Sequence, residues 1–554
     1  MRPAAALPDG GVCIFGVAEI IVGVMCGSSS SFPRLDRLTD DQLQQLALNE
    51  KLAGNHDLAL TCFEEAGRRF PGHPGILLEQ LKCHERLRHP REVEVLARHL
   101  RQRFASDPAQ IDHLGEELQK AGLFGPARET FDVLLEHHRA EVRAVGWSRV
   151  AALQLRTGRR GEAAASLSEA ERHAARLPEV RAVKARICRD DDPELARSIL
   201  LDLAQPNPSI PAPFTASCGY LLAGVCEDLD LPGEAMDALA RAKAIEASHP
   251  LAARFRHQRQ AWRQWHLDAL DFDREQAVRW AAEASGDALP AHGFLLGHPR
   301  SGTTLLEQML DAHPALCSVE ESDIYSTAFD AALIRRHEVE GRGSRFADWM
   351  QGLPEEEMRG LRANYFARLA DEAGSNLAAL KVLDKNPGLT VSVARIARTL
   401  PASRLIVVLR DPRDVCLSAY FQSTDRTPWS VNWLTLEETV DQYVFAMDLW
   451  RRTRERLAQP WLEVRYEDVI SDPVKEGTRV SSFLCMDWDP RQADPAGHAR
   501  TKIVRSPTHH DVLRPIHNRA VGRWQRYADR LAPFESKLRP FISDFGYEAP
   551  PRSL

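Results

Sequence analysis

Between about residue 38 and residue 285 apolar and polar positions alternate at helical spacing, with few runs that would suit a strand. Within that stretch an apolar residue followed four positions later by another recurs at Ala59/Phe63, Val93/Ala97, Ala127/Phe131, Ala163/Leu167, Ala196/Leu200 and Ala235/Leu239. The intervals between starts are 34, 34, 36, 33 and 39 residues. A proline stands fifteen residues after the start in five of the six cases, as Pro74, Pro108, Pro178, Pro211 and Pro250; Val142 takes that place in the sixth. Such a period predicts helix pairs that cannot bury an apolar face alone and stack on their neighbours. Past Gly293 the pattern changes to short apolar runs alternating with longer helical segments. Phe294–Leu296, Ala378–Leu383 and Arg404–Leu409 predict buried strands, while Thr303–Leu310, Leu389–Leu400 and Leu436–Leu457 predict helices. This alternation predicts an α/β domain with a central parallel sheet covered on both faces, whose ligands gather at the carboxyl ends of the strands.

The repeating half resembles a tetratricopeptide-type α-helical solenoid, in which the small residue lets paired helices approach and the proline ends the second helix. The resemblance implies a concave surface for a peptide or partner protein; the alternative is a non-repetitive bundle whose alanines align. Trp262, Trp265 and Trp280 are expected to pack this half onto the next domain. The expected division is a tail at 1–37, the repeat array at 38–285 and a catalytic domain at 290–548.

With 554 residues and 44% apolar content the chain has material for several cores, and a net charge of −7 gives no overall bias toward nucleic acid or anionic membrane. Ten cysteines, without a C-x-x-C pair or metal-like spacing, read as reduced thiols of a cytoplasmic protein. Val12–Met25 is apolar apart from Glu19, and at about 14 residues is too short to span a bilayer. It reads as a disordered tail or an over-long start rather than an export signal. No integral membrane span and no nucleic-acid partner are expected.

The chemistry concentrates in Gly293–Pro314, where a strand, a turn through Pro299, Arg300, Ser301 and Gly302, and a helix opening on Thr303 and Thr304 succeed one another. Backbone N–H groups at such a helix start point at an anion, and the helix dipole favours it. Gly297, Gly302 and Thr304 fit the G-x-x-x-x-G-K-[ST] pattern, but Thr303 stands where a triphosphate-binding loop has its lysine. The P-loop is therefore suited to a phosphorylated donor other than a magnesium nucleoside triphosphate. Three more segments offer cations for a polyanionic nucleotide. Asp384-Lys385-Asn386-Pro387 follows a strand, Arg410 ends another with Ser418 two turns into the next helix, and Arg519–Trp524 is a basic loop with an aromatic.

In this order the segments resemble PAPS-dependent sulfotransferases, most closely the tyrosylprotein sulfotransferase-like branch that includes proteins with an N-terminal tetratricopeptide array. The match covers roughly residues 290 to 530. The resemblance implies that Pro299–Thr304 binds the 5′-phosphosulfate and that Arg410 and Ser418, eight residues apart, hold the 3′-phosphate. It implies that Tyr466, in Arg465-Tyr466-Glu467-Asp468, lies near the nucleotide and that Arg523 completes the 3′-phosphate site. Glu321, twenty-one residues after Arg300, takes the place of the catalytic glutamate and Lys385 that of the catalytic lysine. The last-loop hydroxyl falls on Thr508, counted back from Pro515, with Ser506 a nearby substitute and His509 and His510 departing from the expected pattern.

Sulfuryl transfer by this reading needs no metal: Arg300, Lys385, the loop amides and Thr508 or Ser506 would stabilise the leaving phosphate, and Glu321 would act as general base. Glu320 competes for that role, and because successive side chains diverge only one of the two is expected to face the donor. The alternatives are a P-loop nucleotide kinase, against which Thr303 speaks, and a repeat scaffold with a nucleotide-sensing domain. The acceptor is a peptide or protein held by the repeat array, with tyrosine implied by the resemblance, or a saccharide or small-molecule hydroxyl.

Overall fold

The computed structural model describes residues 35–548 apart from 53–54, 88, 288, 342, 375–376, 378–379, 424–426, 501–512 and 514. The expected tail, but for its last residues, and the candidates Thr508 and Ser506, with His509 and His510, lie outside the described residues. The chain forms two compact units, residues 1–121 and 122–554.

The first unit is helical. Asp40–Leu52 pairs with His56–Arg69 and Pro74–Arg86 with Pro90–Arg103, followed by Pro108–Lys120. Leu43, Leu46, Ala47, Ala59, Cys62, Phe63 and Cys83 are buried together. Arg69 ties this packing to the start of the unit, donating to the carbonyls of Leu35 and Leu38.

The second unit begins with further helices: Phe124–Leu135, then the pairs Ala140–Arg156/Arg160–Ala174, Pro178–Cys188/Pro193–Leu203 and Ala212–Asp228/Pro232–Ala247. The periodic positions now acquire a physical meaning. Ala59, Val93, Ala163, Ala196 and Ala235 each occupy the fourth position of the second helix of a pair and Ala127 the fourth position of Phe124–Leu135, and all six are fully buried. Close approach is explicit at Gly219, where a Cβ would come within 2.9 Å of the Ala242 Cβ across the pair. The periodic prolines act differently from expectation. Pro74, Pro108, Pro178 and Pro250 are the first residues of the following helices, and Pro211 is an N-cap. A first-turn proline gives up an N–H that has no helical partner, so it starts a helix at little cost.

From His292 the chain builds five parallel strands: β1 His292–Gly297, β2 Leu316–Glu320, β3 Lys381–Lys385, β4 Arg404–Leu409 and β5 Trp461–Arg465. Their order in the sheet is β2-β3-β1-β4-β5. Alternate side chains serve two cores. Phe294, Leu296, Val382, Leu405 and Val407 face one layer with Tyr365, Ile396, Tyr443 and Trp450. Leu295, Leu383, Ile406 and Val408 face the other, with Leu306, Met309, Leu310, Val469 and Val480. Strands buried on both faces read as continuous apolar runs, which is why β4 was legible to the residue.

β2 and β5 escaped the sequence pattern, being short and half polar. The expected strand Ala378–Leu383 is displaced to Lys381–Lys385, so Asp384 and Lys385 belong to the strand rather than follow it. Pro387 lacks the N–H for a ladder and sits in a 3-10 turn, Pro387–Ser392, which leaves Val393–Thr399 as the α-helix in place of Leu389–Leu400. The long helix runs Leu436–Arg454.

The three tryptophans do join the helical segments to the sheet domain. Trp262 meets Trp429 edge-on at 5.6 Å, Trp265 meets Phe346 at 5.0 Å, and Trp280 lies under the Arg398 guanidinium. A second junction is a shared core in which Leu200, Leu222, Cys226 and Leu239 of the helix pairs enclose Leu417, Tyr420 and Tyr527. Among the described residues no helix is long and apolar enough to cross a membrane.

Candidate active site

The parallel register brings the carboxyl ends of all five strands to one rim. Lys385 is level with Leu295 of β1 and Glu320 of β2, Gly297 with Val408, and Leu409 with Arg465. Lys385 ends β3, and Arg300, Glu321, Arg410 and Tyr466 each follow one of these ends.

The loop after β1 is held in a conformation that only certain residues tolerate. Gly297 has φ +140° and its Cβ would lie 2.6 Å from the Val408 carbonyl oxygen; Gly302 has φ +100° and its Cβ would lie 2.3 Å from the Tyr466 ring. Arg300 adopts φ +77° without being glycine, a strained state that persists because its surroundings fix it. Thr390 braces the loop's origin, its Oγ1 accepting from Gly297 N at 2.8 Å and donating to Gly297 O at 2.7 Å. His298 is buried with Nδ1 2.8 Å from the Pro299 carbonyl, and burial lowers its pKa to about 4, so it adds no charge. Gly302, without a side chain to cap it, leads into the helix Thr303–Asp311, whose first N–H groups face the loop. Thr303 and Thr304 are buried, and the buried Ser301 Oγ has no hydrogen-bond partner among the described residues.

A cationic pair closes one side of this loop. Arg300 Nε donates to Ser418 Oγ at 3.1 Å, and Arg410 Nη1 donates to the Arg300 carbonyl at 3.0 Å. Arg410 also donates to the Ala520 carbonyl and lies over the Tyr466 ring at 5.1 Å, with its buried Nε unpartnered. Arg300, Gly302, Arg410, Ser418 and Tyr466 therefore form one cluster.

Arg523 reaches the edge of that cluster but spends its charge elsewhere. Its Nε donates to Glu227 Oε1 at 2.7 Å and its Nη2 to Oε2, while its guanidinium lies over Phe421 at 4.2 Å. Glu227 belongs to the helix Ala212–Asp228 and also accepts from Tyr527 Oη at 3.0 Å. The loop carrying Arg523 is fixed by Asp414, whose carboxylate accepts from the N–H groups of Gly522 at 2.8 Å and Trp524 at 2.7 Å. Burial raises the Asp414 pKa to about 6 against the opposing pull of Arg410.

On the other side of the loop stands a buried charge cluster that sequence reasoning grasped only in part. Lys385 Nζ is 2.8 Å from Glu321 Oε1, 3.4 Å from Glu320 Oε1 and 3.4 Å from Glu307 Oε2. Burial alone would push the lysine pKa down; Glu321, Glu307 and Glu320 together raise it above the usual lysine range. The expectation that Glu320 and Glu321 diverge is corrected here. β2 ends at Glu320, and Glu321 takes φ +45° while its N–H donates to the Lys385 carbonyl at 2.6 Å, which swings its side chain back to the same ammonium. They still differ in access, since Glu320 is buried whereas Glu321 is 37% exposed. Glu307 was missed altogether. Its signal was a carboxylate on the apolar face of an otherwise buried helix, one turn after Thr303, a position that calls for a buried cation.

The arrangement combines a helix N-terminus, two arginines, a hydroxyl and a buried lysine on one rim, with an accessible carboxylate beside the lysine. Such a set of groups is chemically able to hold a polyanion, with a carboxylate at its edge. Among the described residues there is no group of three or more His, Cys, Asp or Glu placed to hold a metal ion.

Comparison with known proteins finds sulfotransferases. The sulfotransferase family model matches residues 294–490. Protein-tyrosine sulfotransferase 2 of Gallus gallus is 23% identical over 272 residues, covering 46% of this chain and 69% of that protein. Protein-tyrosine sulfotransferase of Drosophila melanogaster is 21% identical over 265 residues, and the chain spans about half of its length, 51%. Among solved structures, the sulfotransferase domain from the Synechococcus PCC 7002 olefin synthase aligns with 48% of this chain and 98% of its own, at 20% identity and a TM-score of 0.32.

Proposed function

We propose that this chain is a sulfotransferase that moves a sulfuryl group from PAPS to a hydroxyl, and that the acceptor is a protein tyrosine; the match of residues 294–490 to the sulfotransferase family model supports this reading. The observation that carries the donor is the glycine-lined loop with Arg300, Ser418 and Arg410 clustered beside it and Thr303 in place of a lysine.

The protein fits such a donor on two counts. Gly302 lacks a Cβ, which lets the Tyr466 ring close against the loop, and two buried polar atoms there, Ser301 Oγ and Arg410 Nε, have no hydrogen-bond partner among the described residues. The amides of Gly302, Thr303 and Thr304, with Pro299 shaping the turn and Arg300 at its side, would hold the 5′-phosphosulfate. Arg410 and Ser418 would hold the 3′-phosphate, and Tyr466 lines the same pocket against Gly302. Arg523 keeps Nη1 outside its Glu227 pair to offer that phosphate. Thr508, or Ser506, remains the proposed last-loop hydroxyl. Bound there, PAPS would supply an activated sulfuryl group and a nucleotide leaving group.

The chain's own residues then have three tasks. Glu321 takes the acceptor's proton, a role that commonly contributes about 10²–10⁴-fold. Lys385, buried and held in its charged form, stabilises negative charge developing on the leaving oxygen. The loop amides fix the reacting group in line with both. The protein acceptor rests on the names of the relatives and on the helix pairs of residues 38–285, read as a tetratricopeptide-type array with a peptide-binding face.

The test uses labelled PAPS with an acidic tyrosine-containing peptide, and calorimetry with adenosine 3′,5′-bisphosphate. Wild type is expected to label the tyrosine; Glu321→Gln should lose about 100-fold or more in turnover while binding the nucleotide within about threefold. Equal loss of both would refute the base, absence of nucleotide binding would refute the donor, and label on a saccharide or small molecule would refute the acceptor.

A further inference from the structure

Resting on the sulfotransferase reading, we propose that Glu307 is a positioning residue that competes with Glu321 for the Lys385 ammonium and so keeps Glu321 available as a base.

One lysine serves three carboxylates from three elements: Glu307 of the helix after the loop, Glu320 at the end of β2 and Glu321 just beyond it. These three are the charges that act on Lys385; its strand neighbour Asp384 faces the opposite layer, accepting from Tyr365 Oη at 2.8 Å. Lys385 and Glu307 are fully buried, so their interaction is little screened by solvent. Glu307 is aimed. Its Oε1 accepts from Ser318 Oγ at 2.9 Å, which turns Oε2 to the ammonium. It also stands one helical turn behind Thr303, so the lysine of β3 is tied to the helix whose N-terminus forms the loop.

A base must have a lone pair to offer. Glu321 alone with Lys385 would be a closed ion pair, its oxygen held by the ammonium. Glu307 and Glu320 oppose this by drawing on the same ammonium, and Glu321 is the accessible member of the three. Among the described residues the cluster sets three carboxylates against one ammonium beside a site for polyanions. Glu307 therefore costs nucleotide affinity while it supports turnover, a combination that a merely structural residue does not produce.

The experiment compares wild type, Glu307→Gln and Glu307→Asp in the full chain. Affinity for adenosine 3′,5′-bisphosphate is measured by calorimetry, and turnover as sulfate released or transferred from labelled PAPS between pH 5.5 and 9. Glu307→Gln keeps the shape and removes the charge. It is expected to bind the nucleotide about 3–10-fold more tightly, to turn over about tenfold more slowly, and to move the acid limb of the pH profile downward. Glu307→Asp keeps the charge and is expected to recover most of the turnover lost in the Gln variant, with the acid limb near the wild-type position. Weaker nucleotide binding in Glu307→Gln, unchanged turnover, or an unmoved acid limb would each overturn the proposal. Wild type failing to bind the nucleotide would instead refute the donor reading.

Discussion

Replacing Gly302 by alanine tests the loop at its tightest point. The residue has φ +100° and ψ 13°, where a side chain is strained by about 1–3 kcal/mol. The added Cβ would sit 2.3 Å from Tyr466 Cδ2 and 3.0 Å from Cε2. Relief requires the ring to move by about 1 Å or more, yet it is buried and lies beneath Arg410. Overpacking of this kind costs about 1–3 kcal/mol, so the two effects together give about 2–6 kcal/mol. Urea denaturation of Gly302→Ala in the wild-type and Tyr466→Ala backgrounds separates them. With the ring gone the steric part vanishes and only the backbone strain remains, so the cycle should show a coupling of about 1–3 kcal/mol. A cost below about 1 kcal/mol, or the same cost in both backgrounds, would refute the claim that the Tyr466 ring and a left-handed glycine jointly shape the loop.

Three further outcomes are expected. Arg410→Ala should reduce the preference for adenosine 3′,5′-bisphosphate over adenosine 5′-phosphate by about tenfold or more in competition binding, since charge-assisted contacts contribute about 1.5–3 kcal/mol; an unchanged preference places the 3′-phosphate elsewhere. Asp414, raised to about 6 by burial, stays protonated in the native state where the unfolded chain has already ionised. Stability contributed by this group is therefore present below about pH 4 and falls by up to about 3 kcal/mol as pH rises through 6, a slope that denaturation curves of Asp414→Asn should lack. A fragment of residues 290–554 should aggregate where 122–554 stays folded, because it bares Leu417, Tyr420 and Tyr527 and leaves Arg523 without Glu227; a soluble, nucleotide-binding 290–554 would contradict this.

Much of the site was legible because its determinants are local. Arg300 to Thr304 need only a strand, a tight turn and a helix start, each written in a few consecutive residues. Arg410 and Ser418 share a strand end and the helix after it, so an eight-residue separation fixes their relation. Lys385 was placed beyond its strand, since a charged residue inside a buried strand contradicts the pattern unless its partners are known. Glu307 was invisible for the same reason. Arg523 was read as completing the 3′-phosphate site, and its partner Glu227 lies 296 residues away in sequence.

The sequence by itself determined the helix pairs, through an apolar residue that recurs at the fourth position of alternate helices. It also determined the loop and the apolar strands, because these arise from side-chain periodicity and backbone preference within a few turns of chain. The tertiary structure alone decided which charges meet. It set three carboxylates around one ammonium, bent Glu321 back with a positive φ, and enclosed Leu417, Tyr420 and Tyr527 in the core of the helix pairs. Buried charges and shared cores depend on elements far apart in sequence, and their energies arise only once the parallel register has brought those elements to one rim.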